Sequence, residues 1–244
     1  MFRIYEIKIV LLDPLFYARE GFSGAYTPPY LHATALNHAL AAFMPAEFTG
    51  IDPEVQSYII GEHNGGSNIP RYRNSLVAKN FYFTPARMIG PLKFFPEWTK
   101  GENDGFANVI RQGETLKAEI LNYLPPETEF EGYLISKLKI APLFLIRLGS
   151  FRGKARLQYE EAEIVDVIKD EVTASHPVDP LVTTVFRGVM VNMFPYPLVE
   201  NATIKHGVSI KLPRSRGTKT VAIPDEWSLP IIEHIKRAKG GIIV

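Results

Sequence analysis

Phe2-Arg3-Ile4-Tyr5-Glu6-Ile7-Lys8-Ile9-Val10-Leu11-Leu12 decides how the chain folds. The odd positions Arg3, Tyr5, Ile7, Ile9 and Leu11 are mostly apolar, and Glu6 and Lys8 stand between them. Alternation of this kind marks a β-strand with one buried side. The chain is therefore expected to open on a strand whose odd side faces the core, ended by Asp13-Pro14. Glu6 and Lys8 interrupt the apolar run and no small-residue cleavage site follows, so the segment reads as a strand and not as a signal peptide.

Outward from that strand, the loop Ala18–Pro29 holds Arg19 and Pro28-Pro29. The next periodic segment is helical. Leu31, Ala35, Leu36, Ala39, Leu40 and Phe43 recur at helical spacing, which predicts a helix over about Tyr30 to Phe43. Strands are predicted at Asn80–Thr84, Thr115–Tyr123, Glu129–Leu138, Leu143–Leu148 and Ala155–Val167, and Val182–Met193 is β-rich in composition. Pro91–Gly113 reads as irregular. Val208–Leu212 and Thr220–Ile223 read as a hairpin around Arg214-Ser215-Arg216-Gly217. A last helix is predicted from about Leu229 to Lys239, with Pro230 in its first turn and Gly240-Gly241 stopping it.

The pattern gives an α+β class with strands outnumbering helices. The 244 residues read as a single domain with irregular or β-rich insertions near 44–80 and 91–135 and a C-terminal hairpin plus helix over 205–240. Hydrophobic content of 46% with 22% charged residues supplies a real core. No apolar run approaches the roughly 20 residues of a membrane span. The chain has no cysteine, which excludes disulfides, thiolate metal sites and cysteine nucleophiles, and which fits a cytoplasmic protein.

Charge is where the sequence turns informative. Lys and Arg number 27 against 26 Asp and Glu, yet the signs are segregated. Lys137 to Arg156 carries Lys137, Lys139, Arg147, Arg152, Lys154 and Arg156 with no acid. Arg71 to Lys93 and Lys205 to Lys219 are acid-free as well. Either the fold joins these blocks into one groove for an anionic partner, or each is a solvated face whose carboxylate partners arrive through folding. Aromatic residues interleave with the cations: Tyr72, Phe81, Tyr82, Phe83 and Phe151. Phe81 and Phe83 are expected in the core. Tyr82, on the other side of its strand, and Phe151, in a loop, are candidates to stack on RNA bases.

Other chemistry finds little support. His32, His38, His63, His176, His206 and His234 show no metal-ligand spacing, and no phosphate-loop, dinucleotide-binding or nucleophile-elbow sequence occurs. No cofactor and no metal are expected. The Gly149-Ser150-Phe151-Arg152-Gly153 loop, followed by Lys154, suits contact with a phosphate backbone, which needs donors and positive charge but no fixed motif.

Several segments carry a resemblance. Leu15-Phe16-Tyr17-Ala18-Arg19-Glu20, Tyr30 to Leu40, Tyr82-Phe83-Thr84-Pro85-Ala86-Arg87 and Ile146 to Ala155 together resemble the Cas five (Csc-type) subunit family of type I-D CRISPR effector complexes. The resemblance implies a RAMP-type ferredoxin-like, RRM-related domain with an antiparallel sheet and a β-rich insertion. It also implies a non-catalytic subunit of the Cascade complex that binds the 5′ handle of the CRISPR RNA. Such a subunit caps the complex beside its backbone and large subunits, where target DNA is read near the protospacer-adjacent motif. Carried onto this chain, Arg19, Arg87, Arg147, Arg152 and Lys154 are its RNA-binding residues. Arg156, Arg214 and Arg216 join them on charge, and Tyr82 and Phe151 as stacking rings. Two alternatives stand beside this reading. One is a metal-independent endoribonuclease acting on repeat RNA through residues such as Tyr72, His63 and Lys79. The other is a structural module whose basic faces meet acidic proteins.

Overall fold

The structure is a computed structural model, and it describes residues 2–17, 19–21, 24–41, 80–100, 118–139, 143–149, 153–168, 170–193, 196–213 and 217–238. The N-terminal half forms β1 (Arg3–Leu11), β2 (Arg19–Gly21), β3 (Gly24–Tyr26), β4 (Tyr30–Leu31), α1 (Ala33–Ala41), β5 (Phe81–Phe83), β6 (Ala86–Ile89), β7 (Phe95–Lys100) and β8 (Ala118–Tyr123). Then come β9 (Glu129–Ser136), β10 (Leu143–Leu148), β11 (Gly153–Ile168), β12 (Val172–Thr173), β13 (Val185–Val191), β14 (Leu198–Ile204), β15 (Gly207–Lys211), β16 (Thr218–Ala222) and α2 (Asp225–Ala238).

Among the described residues the main sheet has nine strands along the path β16-β15-β11-β1-β9-β6-β4, with β10 added to β11 and β5 to β9. Smaller sheets run β12-β14-β13 and β2-β3-β8-β7. The molecule is thus mixed α/β and mostly β. The expected first strand sits at the centre, antiparallel to both β11 and β9. β11 is the longest strand, and on its far edge its first part pairs with β10 and its last part with β15.

The odd side of β1 is buried as expected. Tyr5, Ile7, Ile9 and Leu11 pack with Leu36 and Leu40 of α1, Phe81 and Phe83 of β5, and Ile146 and Leu157. Fully burying a large apolar side chain contributes about 1.5–3 kcal/mol, so this cluster is the main source of stability. One polar residue docks the helix to the sheet. The Asn37 amide donates to the Ala33 and Phe83 carbonyls, and its Oδ1 accepts the Phe83 N–H at 2.9 Å. Asn37 thereby completes the hydrogen bonding of a buried strand.

Two helix boundaries differ from expectation. α1 begins at Ala33, because Tyr30–Leu31 pair with β6 through Arg87 and Ala86. α2 begins at Asp225, so Pro230 lies inside it and not in its first turn. There Asp225 Oδ2 accepts hydrogen bonds from the Thr184 N–H and hydroxyl, and its own N–H donates to the Val182 carbonyl. That anchorage starts the helix ahead of the proline. β7 is also new, because a segment that reads as irregular gains its strand by pairing with β8 from Phe95–Tyr123 to Lys100–Ala118.

Candidate nucleic-acid interface

Residues directly opposite each other on neighbouring strands project to the same side of the sheet. The register therefore assigns the even side of β1 row by row. At one end Arg147 of β10 faces Lys154 of β11. The next row holds Leu145, Arg156, Val10, Glu129 and Ile89, and the one after it Gln158, Lys8, Glu131 and Arg87. Glu160, Glu6 and Tyr133 follow, then Ala162, Ile4, Ile135 and Tyr82.

The far end of this face is closed. Ile4, Tyr82, Tyr133, Ile135 and Ala162 pack with Val208 and Ile210 of β15 and with Trp227, Ile231 and Ile235 of α2. Lys219 of β16 seals the boundary, with Nζ 2.7 Å from both Glu6 Oε1 and Glu131 Oε1 and over the ring of Tyr133. At a strand spacing of about 4.8 Å, a flat sheet would set β16 roughly 14 Å from β1 and roughly 19 Å from β9. The sheet must curl, carrying the β15–β16 hairpin over its own face. Burial opposes the Lys219 charge, but the hydrogen bonds it donates to Glu131 and Glu6 outweigh it and hold the ammonium pKa above its ordinary value.

The near end is open and cationic. Arg147 and Lys154 are exposed and stand directly opposite each other. Like charges in that relation destabilise a strand pair. Arg156 lies one row in, half-buried, and its Nε finds no hydrogen-bond partner among the described residues. Lys8 pairs with Glu129 at 2.6 Å. Among the described residues no salt bridge reaches Arg87, Lys154 or Arg156. A depression of about 640 Å³ opens beside Arg156, lined by Val10, Leu11, Leu12, Pro126, Glu127 and Glu129.

The glycines around this end have a packing role. Gly149 has φ +76°, and a Cβ there would stand 2.5 Å from the Phe16 carbonyl oxygen. A Cβ on Gly153 would stand 3.0 Å from the Pro14 carbonyl oxygen. Asp13 Oδ2 accepts the Lys154 N–H at 2.9 Å, and the Lys154 carbonyl accepts the Leu12 N–H at 2.9 Å. The turn after β1 and the start of β11 are thus clamped together, which fixes where Lys154 and Arg156 emerge.

Of the residues nominated from sequence, the sheet brings Arg87, Arg147, Lys154 and Arg156 onto one face. Arg19 does not join them; it lies on β2 in the small sheet, opposite Tyr26. Phe151, Arg152, Arg214 and Arg216 lie outside the described residues, as do His63, Tyr72 and Lys79. Tyr82 is a correction. Its side chain does point away from Phe81 and Phe83, as alternation predicts, but it is only 2% exposed. The second side of β5 is covered by a second core and not by solvent, so the ring cannot stack on a base. Lys219, never nominated for RNA, lies in an acid-free block but is bound by carboxylates from β1 and β9, as the second reading of the charge pattern allows. No sequence window holds both it and its partners.

Among the described residues three histidines, His32, His38 and His176, are buried. Burial lowers His32 and His176 to about 4 and also lowers His38. His176 accepts the Ala222 N–H at Nε2, and its Nδ1 lies 2.7 Å from the Pro177 carbonyl oxygen. These rings hold the structure together as neutral groups. Among the described residues no group of three potential metal ligands occurs, and no helix is long and apolar enough to cross a membrane.

Fold and face together define a mostly antiparallel α/β protein with a cationic, solvent-facing end on its central sheet. Residues 2–232 match the family model of the type I-D CRISPR-associated protein Cas5/Csc1, and the chain belongs to that family. It is accordingly a subunit of a CRISPR effector complex. No curated protein matches the chain in sequence. Among solved structures it is similar to oligomeric Cmr4 from Pyrococcus furiosus, at 12% identity over 67% of this chain and 100% of that one, with a TM-score of 0.32. It is also similar to a chain of the Type III-B Cmr-beta complex bound to cognate target RNA and AMPPnP. There identity is 13% over 95% of this chain and 88% of the other, with a TM-score of 0.39. Likeness at that level says nothing about what this chain binds.

Proposed function

We propose that this chain is a non-catalytic RNA-binding subunit that grips the 5′ handle of the CRISPR RNA through the open end of its central sheet. The observation that carries the reading is the Arg147–Lys154 pair with Arg156 one row behind. Three cations share one end of a sheet, and two of them, Arg147 and Lys154, are exposed and directly opposite each other. A phosphate between such a pair is attracted to both. Family membership supplies the RNA: in a CRISPR effector complex the CRISPR RNA is the polyanion at hand. The reading further places the subunit at the handle end, against the backbone and large subunits and near the motif-reading part of the target DNA.

The sheet order supports a ferredoxin-like ancestry for the core. β11, β1, β9 and β6 lie side by side and antiparallel, and α1 crosses between β1 and β6 in the chain. Between β9 and β11 the described residues hold the strand β10 in place of a second crossover helix. β10 is the strand that presents Arg147 to Lys154.

The test is binding of the full chain to labelled CRISPR RNA bearing its native 5′ handle, against a scrambled-handle RNA, with EDTA present. Preference for the native handle with intact RNA is expected. Discrete cleavage would overturn the non-catalytic reading, and equal weak binding to both RNAs would overturn handle recognition by this chain.

A further inference from the structure

The chain leaving β6 is the least expected surface of the molecule. Every residue from Ile89 to Glu97 is exposed. The run includes Leu92, Phe94 and Phe95 at 48%, 36% and 60% exposure. Contiguous apolar exposure of this kind marks a contact surface. Gly90 turns the chain at φ +86°, with nothing within 4 Å of where its Cβ would be, and the segment then enters β7, where Phe95 pairs with Tyr123 of β8.

Its chemistry suits an unpaired polynucleotide. Lys93 stands between Leu92 and Phe94, and no carboxylate occurs from Arg71 until Glu97. The segment also continues directly from the cationic face: Arg87 of β6 lies in the row of Lys8 and Glu131, and Ile89 in the row of Arg156. An unpaired polynucleotide offers flat apolar bases and phosphates at regular spacing, and it is held by rings interleaved with cations.

We propose that Phe95, with Phe94 and Lys93, is a base-stacking site for single-stranded RNA on the exposed segment that joins the cationic sheet face to β7. An unpaired base lies on the ring, and Lys93 and Arg87 meet the adjoining phosphates. The site rests on the RNA-binding function proposed for the open end and extends it from phosphates to bases, over roughly 19 Å of sheet from β10 to β6.

The test uses the full chain with two labelled RNAs of equal length and charge: CRISPR RNA with its handle, and the same RNA with abasic residues across the handle. Three proteins are compared: the wild type, Phe94→Ala/Phe95→Ala, and Lys154→Ala/Arg156→Ala. Both phenylalanines are solvent-facing, so thermal melting should be unchanged by their removal. The phenylalanine variant is expected to bind the base-bearing RNA about 5- to 150-fold more weakly, with its salt dependence intact, and to match the wild type on abasic RNA. Wild-type affinity for the base-bearing RNA would overturn the site, even if Lys154→Ala/Arg156→Ala binds poorly. Equal losses on both RNAs would overturn it too. Lost association with another subunit, with RNA binding unchanged, would reassign the surface to a protein. If the wild type shows no salt-dependent RNA binding at all, the phosphate reading fails first and the stacking site falls with it.

Discussion

Lys219 and Lys154 stand on the same face of the same sheet, each in an acid-free stretch of sequence, and the fold treats them in opposite ways. Lys219 is carried by the curl of the β15–β16 hairpin onto Glu6 and Glu131, where it closes one end of the face. Lys154 is left facing Arg147, with no salt bridge among the described residues. A cation whose partners the fold supplies is structural. Lys154, exposed and opposite Arg147, is the cation that the proposed RNA contact uses.

The sharpest way to break the closed end is acid. His32 and His176 have folded-state pKa values lowered to about 4 by burial, and His38 is lowered as well. The unfolded chain binds protons near pH 6.5 while the folded one does not. Stability is therefore fully present above that pH and falls as the pH drops from about 6.5 toward 4. The expected loss for His32 and His176 is on the order of 3 kcal/mol each at the lower limit, read by denaturant melts across that window. A flat profile would mean that these rings titrate normally. His176→Asn should flatten part of the slope.

At the open end the largest structural effect is expected from Gly149→Ala. A Cβ at φ +76°, 2.5 Å from the Phe16 carbonyl oxygen, forces the β10–β11 turn off the segment after β1. A cost of about 3 kcal/mol is expected, measured as a lowered denaturant midpoint. An unchanged midpoint would show that the glycine is there for a ligand and not for packing. Next in size, Lys154→Ala/Arg156→Ala should weaken RNA binding by about 10- to 100-fold at moderate salt without lowering the melting temperature. Lys219→Met should do the reverse. It strands two half-buried carboxylates and costs about 1–2 kcal/mol of stability, with RNA affinity held. The smallest effect belongs to Arg237→Ala on α2. Its pairing with Glu233 is 3.8 Å long and exposed, so a change under about 0.5 kcal/mol is expected.

The same contrast sets how far the sequence can be read. Alternation located β1, β10, β11 and the β15–β16 hairpin, because a strand with one buried side writes its period locally. It even assigned Tyr82 to the correct side of β5. It failed on what covers that side, since the second core is assembled from Val208, Trp227 and Ile231, far along the chain. It failed on β7, whose strand depends on β8 and not on its own composition. The cationic site was half legible: Arg147, Lys154 and Arg156 are adjacent in sequence and in space because β10 and β11 form a local hairpin. Arg87 reached the same face only through a register that spans four strands. The glycines of the 149–153 loop look like a phosphate cradle in sequence. At Gly149 and Gly153 the structure shows close approach to backbone carbonyls, which the one-letter code cannot distinguish from close approach to a phosphate.

The most direct measurement is the salt dependence of handle-RNA binding for the wild type, Lys154→Ala/Arg156→Ala and Lys219→Met. Each phosphate contact on a single strand contributes about −0.7 to the slope of log affinity against log salt. If the open end holds the RNA backbone, the slope is shallower by about 1.4 for the Lys154/Arg156 variant and unchanged for Lys219→Met. Equal slopes for all three proteins, or a shallower slope for Lys219→Met alone, would contradict RNA binding at that end.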